Sequence, residues 1–465
     1  MKATFKKITL LLLVCTFGSS CQPKQQEEEI SPTVILISKA NIIDVRTGQV
    51  RTGQNIFIDS GRIKQINAKE IDDFSKYNTV IDAEGQFVIP GMTEMHAHIP
   101  QPPTSKERLE DVLFLYLSQG ITTIRGMLGH PNHLELRKKV QNHEVLGPRI
   151  FTSSPSLNGN SVKTEEEAIE KVTAYQKAGY DFLKIHPGIQ RNVFDQLVKT
   201  ANEVGIRFAG HVPVDVGIRH ALESKFATID HVDGFLEGLV PNSENVNPSS
   251  NGFFGYNFTF LADTTKIDEL VQLSKDNKVW IVPTQSLFER WFAPANVDSL
   301  LTESEMKYMP KSTLENWRRV KVQTMENSGF NISQWKQFDA IRKSLIKKLQ
   351  DNGYGILLGS DAPQLFNVPG FSVQHEMQGM ARAGMQPLEI LQAATINPAI
   401  FFEMENTFGE IKEGNEADLI LLASNPLDDH KNYTKVSGVM TRGTWISSTD
   451  IENRLKEIAE SAAKN

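Results

Sequence analysis

The sequence predicts an α/β fold: a (β/α)8 TIM barrel with a small β-sandwich domain formed from both chain ends. Three observations lead there. Between residues 87 and 407, eight short apolar runs alternate with helix-like segments, and eight parallel strands close a barrel. Residues 32–86 and 408–448 alternate apolar and polar side chains with no helical period, the texture of half-buried strands. Histidines gather where the barrel runs end, and that C-terminal face is where barrel active sites lie. A length of 465 residues suggests about three domains; the pattern reduces them to two.

Taken in chain order, the first element is an address. Lys2, Lys6 and Lys7 precede an apolar run from 8 to 17, and Gly18-Ser19-Ser20 lead into Cys21. A charged start, a short apolar stretch and small residues make an export signal over 1–21, too short to span a bilayer. The segment resembles a bacterial lipoprotein signal, which implies that Cys21 carries a lipid; Gly18 stands where that motif usually has Leu. Residues 22–31, rich in Gln and Glu, read as a flexible tether. The expected protein is exported and lipid-anchored to the bacterial cell envelope, on its periplasmic face or the cell surface.

The N-terminal β segment follows, with strands at 34–37, 42–45 and 55–58 and turns at Ser60-Gly61 and Glu84-Gly85. The barrel runs are 87–95, 122–125, 148–152, 180–185, 206–210, 226–230, 278–283 and 355–360. The sixth and seventh connections are long, and the aromatic content of 287–351 favours ordered lids. Strands return at 409–411, 417–422 and 436–440. Ile451, Leu455 and Ile458 predict a terminal helix over 449–465.

Composition narrows the function. Hydrophobic residues are 40% and charged residues 23% of the chain, an ordinary globular balance. A net charge of −7 argues against a nucleic-acid partner. The two cysteines, Cys15 and Cys21, both precede the body, which excludes a cysteine nucleophile, a cysteine-ligated zinc and a disulfide framework there.

What remains is built from nitrogen and oxygen donors. His96 and His98 end the first barrel run and share one face of it. His211 and His231 end the fifth and sixth runs, and Asp361 ends the last. On the fourth run Phe182, Lys184 and His186 alternate inward, where an unpaired ammonium is costly. Singly, each has an ordinary explanation: a hydrogen-bonded histidine, a lysine meeting a carboxylate, an aspartate capping a helix. Together, on five strands at one face, they predict a metal site.

The sequence resembles the amidohydrolase superfamily, in its imidazolonepropionase-like and prolidase-like branch, over residues 33–448. The resemblance rests on Pro90-Gly91-Met92-Thr93-Glu94-Met95-His96-Ala97-His98, Gly359-Ser360-Asp361-Ala362, Ala394-Thr395-Ile396-Asn397-Pro398-Ala399 and the tail around Ala417-Asp418-Leu419. It implies that His96, His98 and Asp361 hold one metal and His211 and His231 a second, bridged by a carboxylated Lys184. One or two zinc ions are expected, with manganese or iron as alternatives. A divalent ion lowers the pKa of bound water to about 7, and Asp361 is expected to serve as general base.

The expected reaction is hydrolysis of a C–N bond in a small amide, cyclic amide or peptide. Lactone or ester hydrolysis and a non-catalytic binding lipoprotein are the alternatives. Arg125, His186 and Gln285 are the expected substrate contacts, although Arg125 has the option of pairing an acid within the barrel. Trp291 and Phe292 are placed to cap an apolar group or simply to pack. Gly126 and Val212-Pro213 depart from the dipeptidase pattern. Oligomeric state stays open.

Overall fold

Period-two alternation becomes strands where one face finds a core. In this computed structural model, which describes residues 34–327 and 329–464, the segments form fifteen strands. The signal, the tether and Cys21 lie outside the described residues. The N-terminal strands are β1 (Ile35–Ile43), β2 (Val50–Asp59), β3 (Arg62–Asn67), β4 (Thr79–Asp82) and β5 (Phe87–Pro90). Seven barrel strands follow: β6 (Met92–Ala97), β7 (Ile121–Gly126), β8 (Arg149–Leu157), β9 (Phe182–Ile185), β10 (Arg207–Gly210), β11 (Thr228–Asp230) and β12 (Trp280–Val282). The tail contributes β13 (Leu419–Leu422), β14 (Val436–Thr441) and β15 (Thr444–Ser447).

Both chain ends share one sheet, in the order β15-β14-β13-β5-β1-β2-β3, with β4 pairing β1. Where a sandwich is expected from sequence, these strands lie in one mixed, hydrogen-bonded sheet. One of its faces packs Ile37, Ile42, Ile56, Val88, Leu419 and Met440 together. The other sends Ile43, Ile89, Ile420 and Val439 into the core shared with the barrel. The clasp is therefore buried on both sides.

The run 87–95, expected as a single barrel strand, divides between the two sheets. β5 pairs β1 and β13, whereas β6 pairs β7. Gly91 is the crossing point: a Cβ there would lie 2.1 Å from Thr122 Oγ1, so only glycine lets the chain pass from sheet to barrel.

The seven barrel strands are parallel and neighbour one another in sequence order. Helices cover them, among them Lys106–Ser118, Pro131–Gln141, Glu165–Ala178 and Arg191–Val204. The eighth run meets both edges by single parallel bridges, Ile356 with Ile281 and Ala362 with Ala97. The barrel is thus nearly closed.

The long connection after β12 is ordered, and contains the helices Lys311–Glu326 and Ile332–Asn352. Rings hold it: Phe292 lies 4.8 Å from Tyr256, 5.6 Å from Trp335 and 6.0 Å from Phe338. The terminal helix, Ser448–Ala462, starts from a Ser447–Asp450 capping box and buries Ile451 and Ile458. Among the described residues no helix is long and apolar enough to cross a membrane.

Candidate active site

Alternation along β6 puts His96 and His98 on one side, and each meets the carboxylate of Asp361. His98 Nε2 lies 2.6 Å and His96 Nε2 3.6 Å from Asp361 Oδ1. Donor atoms of these three residues all fall within 4.8 Å of one another. The other two histidines close the cluster: the His231 ring is 4.6 Å from both the His96 and the His211 rings. His231 and Asp361 have φ of +66° and +65°, a left-handed conformation that non-glycine residues adopt at some cost. Two of the predicted ligands thus sit on strained backbone.

Other side chains aim these groups. Asp233 Oδ2 is 3.0 Å from His211 Nδ1, and Thr284 Oγ1 is 2.8 Å from His231 Nδ1. Glu94, two residues before His96, accepts hydrogen bonds from the backbone N–H groups of His96 and Ser360 and from Ser360 Oγ. It thereby ties β6 to the run that ends in Asp361. Burial pushes the Glu94 carboxyl up to about 8, against three hydrogen bonds that favour its charged form.

Lys184 is fully buried, and its Nζ has no hydrogen-bond partner among the described residues. The nearest carboxylate oxygen, Asp230 Oδ2, stands 3.9 Å away. That oxygen also lacks a hydrogen bond, as does His96 Nδ1 at 3.1 Å from it. Three unsatisfied polar atoms at one buried point call for a further group. Desolvation holds His96 and His231 well below the usual histidine range and also lowers Lys184. Burial thus favours the neutral form of His96 and His231, the form that ligates metals.

These residues open on a cavity of about 490 Å³. His96, His98, Lys184, His211, His231 and Asp361 all line it, together with His186. A larger hollow of about 660 Å³ lies where the sheet meets the barrel, but its Arg137 and Arg149 are already paired with Asp181, Glu416 and Asp418. The chemistry is in the smaller cavity.

Two expected substrate contacts are placed elsewhere. Arg125 does not line the cavity; it is fully buried inside the barrel, donating to the Met95 carbonyl, Thr228 Oγ1 and Asp230 Oδ1. A buried guanidinium must satisfy its donors, and Asp230 is the nearest acid. Gln285 is also buried off the cavity, accepting from Arg342 and donating to Asp339 and Glu289. Trp291 reaches the cavity wall, whereas Phe292 packs behind it.

Sequence reasoning passed over Asp233, Thr284 and Glu94, which orient the predicted ligands, Asp230, which lies beside His96 and Lys184, and Phe253 and Phe254, which wall the cavity. Asp230 and Asp233 flank His231 in the chain, and that adjacency is the signal that points to them. The two phenylalanines sit in a connection without periodicity.

A nearly closed parallel barrel with histidines, lysine and aspartate gathered at its strand ends defines a hydrolase of the barrel type. The amidohydrolase family model matches residues 87–446, and the chain belongs to that family. It is similar to the ochratoxinase of Aspergillus niger, 22% identical over 397 residues covering 76% of this chain and 73% of that protein. It is also similar to the imidazolonepropionase of Kosmotoga olearia, 22% identical over 406 residues, 86% and 89% of the two chains. Among solved structures, bottromycin amidohydrolase matches with a TM-score of 0.69 at 19% identity, covering 93% of this chain and 91% of that one. A Xaa-Pro dipeptidase with bound methionine matches with a TM-score of 0.63 at 20% identity, over 90% and 100%. The structural likenesses establish the shared fold.

Proposed function

We propose that this chain is a metal-dependent amidohydrolase that cleaves a C–N bond of a small amide, cyclic amide or peptide. The single observation that carries the reading is the cluster of His96, His98 and Asp361, with donor atoms within 4.8 Å, at a cavity shared with Lys184, His211 and His231.

The residues fit a divalent ion. Buried His96 Nδ1, Lys184 Nζ and Asp230 Oδ2 lack hydrogen bonds, and the donor set is nitrogen and oxygen only. His96, His98 and Asp361 would hold one ion, and His211 and His231 a second. Zinc suits these donors, with manganese or iron as alternatives. When bound, such an ion supplies water activation near neutral pH and polarises the scissile carbonyl.

The chain's own groups do the rest. Asp361 sits with Oδ1 against His98 and Oδ2 4.0 Å from His231 Nδ1. In this reading its carboxylate takes the proton of the attacking water and returns it to the leaving nitrogen. Burial favours the neutral amine of Lys184. That nitrogen adds to carbon dioxide, forming a C–N bond at the cost of one C–O π bond and releasing a proton, and the resulting carbamate would offer anionic oxygens to the metal site. Asp233 and Thr284 hold His211 and His231 by Nδ1, fixing ring orientation. The eighth run completes the barrel as its last strand, supported by its bridges to β12 and β6. The same proposal includes a lipid anchor at Cys21 that holds the protein at the cell envelope, a reading that rests on the sequence alone.

Purified protein is expected to carry one to two equivalents of transition metal, to lose turnover with a chelator and to regain it with zinc. A screen of dipeptides, N-acyl amino acids, cyclic amides and lactones identifies the bond cleaved. A metal-free protein that remains fully active would end this reading.

A further inference from the structure

One side of the cavity is a wall of rings. Phe254 lies 5.8 Å from the His211 ring and 5.4 Å from that of His231. Phe253 packs 4.6 Å from both Phe254 and Trp291, and Leu287 completes the apolar lining. Behind them Phe288, 5.0 Å from Phe254, and Phe292, 4.6 Å from Phe253, anchor the layer to the inserted helices. Phe254 has φ +49°, an unfavourable conformation for a bulky residue. Gly255 beside it has φ +80°, and a Cβ there would lie 2.8 Å from the Glu237 carboxylate. Strain of this kind persists only where surrounding packing enforces it; here it turns an aromatic ring onto the ligand histidines.

The charge pattern is one-sided. Among the described residues the only Lys or Arg in the lining is Lys184, deep beside Asp230, whereas Asp233 and Asp361 contribute two acids. The neighbouring guanidiniums are committed: Arg125 to Asp230, Arg290 to Glu303, and Arg342 to Gln285 and two carbonyls. Among the described residues lining the cavity Lys184 is the one cationic side chain, and its proposed carbamate is an anion. No side chain is therefore left to pair a substrate carboxylate, and the ions of the proposed site are committed to the scissile carbonyl and the attacking water. Desolvating an anion without such a partner is costly.

The polar contact on offer is His186. Asn158 Oδ1 accepts the backbone N–H groups of Asn160 and Ser161, at 2.9 and 3.0 Å, which orients its amide. Its Nδ2 therefore donates to Ser156 Oγ at 2.8 Å. The same hydroxyl lies 2.5 Å from His186 Nδ1 and takes up that nitrogen. The other ring nitrogen, Nε2, has no hydrogen-bond partner among the described residues and is the one left for a ligand in the cavity that His186 lines. In the tautomer that carries its proton on Nε2, it suits a carbonyl oxygen.

We infer that the cavity selects an uncharged amide carrying an aromatic or bulky apolar group. The group rests on Phe253, Phe254 and Trp291, and a substrate oxygen accepts from His186. The inference rests on the hydrolase reading and narrows it, because free dipeptides and N-acyl amino acids become poor substrates.

The test compares zinc-loaded protein on N-benzoylglycinamide, N-acetylglycinamide and N-benzoylglycine, following amine release. The benzoyl amide is expected to exceed both others by at least tenfold in kcat/KM. Calorimetric titration with benzylacetone, a neutral ketone that cannot be hydrolysed, supplies a readout independent of turnover. Its affinity is expected to fall at least fivefold in Phe254→Leu and in Trp291→Leu, the second variant serving if the first fails to fold. Turnover without the tenfold preferences, or benzylacetone binding indifferent to both substitutions, overturns this inference and leaves the hydrolase reading intact. Binding that depends on the rings, with none of the amides hydrolysed, supports the cavity's selectivity and counts against the hydrolase reading.

Discussion

Burial takes the proton away from His96, His186 and His231 in the site and from His133 beside Pro100. His96 and His231 are held well below the ordinary range by desolvation, His186 is lowered to about 2, and His133 to about 4. In the unfolded chain the same side chains bind protons near pH 6.5. Below that pH the unfolded state holds more protons than the folded one, so stability is lost as pH falls. Thermal denaturation of chelator-stripped protein is expected to show a Tm that declines below about pH 6.5; a level Tm from pH 7 to 5 would contradict it. Arg125→Met is expected to cost roughly 3–5 kcal/mol, because Asp230 is left buried without its partner. The check is denaturant unfolding, and full stability would reopen a substrate role for Arg125. Asp361→Asn is expected to retain metal by elemental analysis and to lose roughly 100-fold or more in turnover.

Strand ends aim these side chains, and close backbone approach sets how accurately. At Gly359 a Cβ would lie 2.4 Å from Val282 Cγ1 and 2.9 Å from His96 N. Gly359→Ala must therefore displace either β12 or the first ligand. Overpacking costs typically 1–3 kcal/mol, and lowered metal content alongside lowered Tm is the expected result. Unchanged metal content would show that the strands yield without moving His96. At this scale the sequence was legible in part. The second to seventh runs are parallel barrel strands where periodicity places them. The first gives only its second half to the barrel, the eighth meets the barrel by single bridges, and the expected ligand residues gather at one face. The change of sheet at Gly91 was not legible, since a continuous apolar run carries no mark of which sheet its two halves join. Nor were Phe253 and Phe254, whose role depends on a left-handed turn and not on a period.

Across the whole molecule, the sheet and the barrel are joined by charge as well as apolar packing. Arg149 on β8 lies 2.6 Å from Glu416 and 2.7 Å from Asp418, with its guanidinium 4.7 Å from the Phe408 ring. Arg454 on the terminal helix reaches Asp111 at 2.6 Å. The expected lipid at Cys21 adds attachment to a surface. Cys21→Ser is expected to move the protein from the membrane to the soluble fraction on cell fractionation, and unchanged membrane association would remove the anchor.

The sequence by itself determined most of the strand-and-helix order, the residues that gather in the candidate site and the absence of cysteine chemistry from the body. These follow from local periodicity and residue chemistry, which need no partner to be read. Only the tertiary structure decided that Arg125 serves Asp230 and not a substrate, that Gln285 is locked to Arg342, and that aromatic rings face the ligand histidines. Each of those outcomes depends on which buried charge or ring lies nearest across the barrel, a distance that spacing along the chain does not encode.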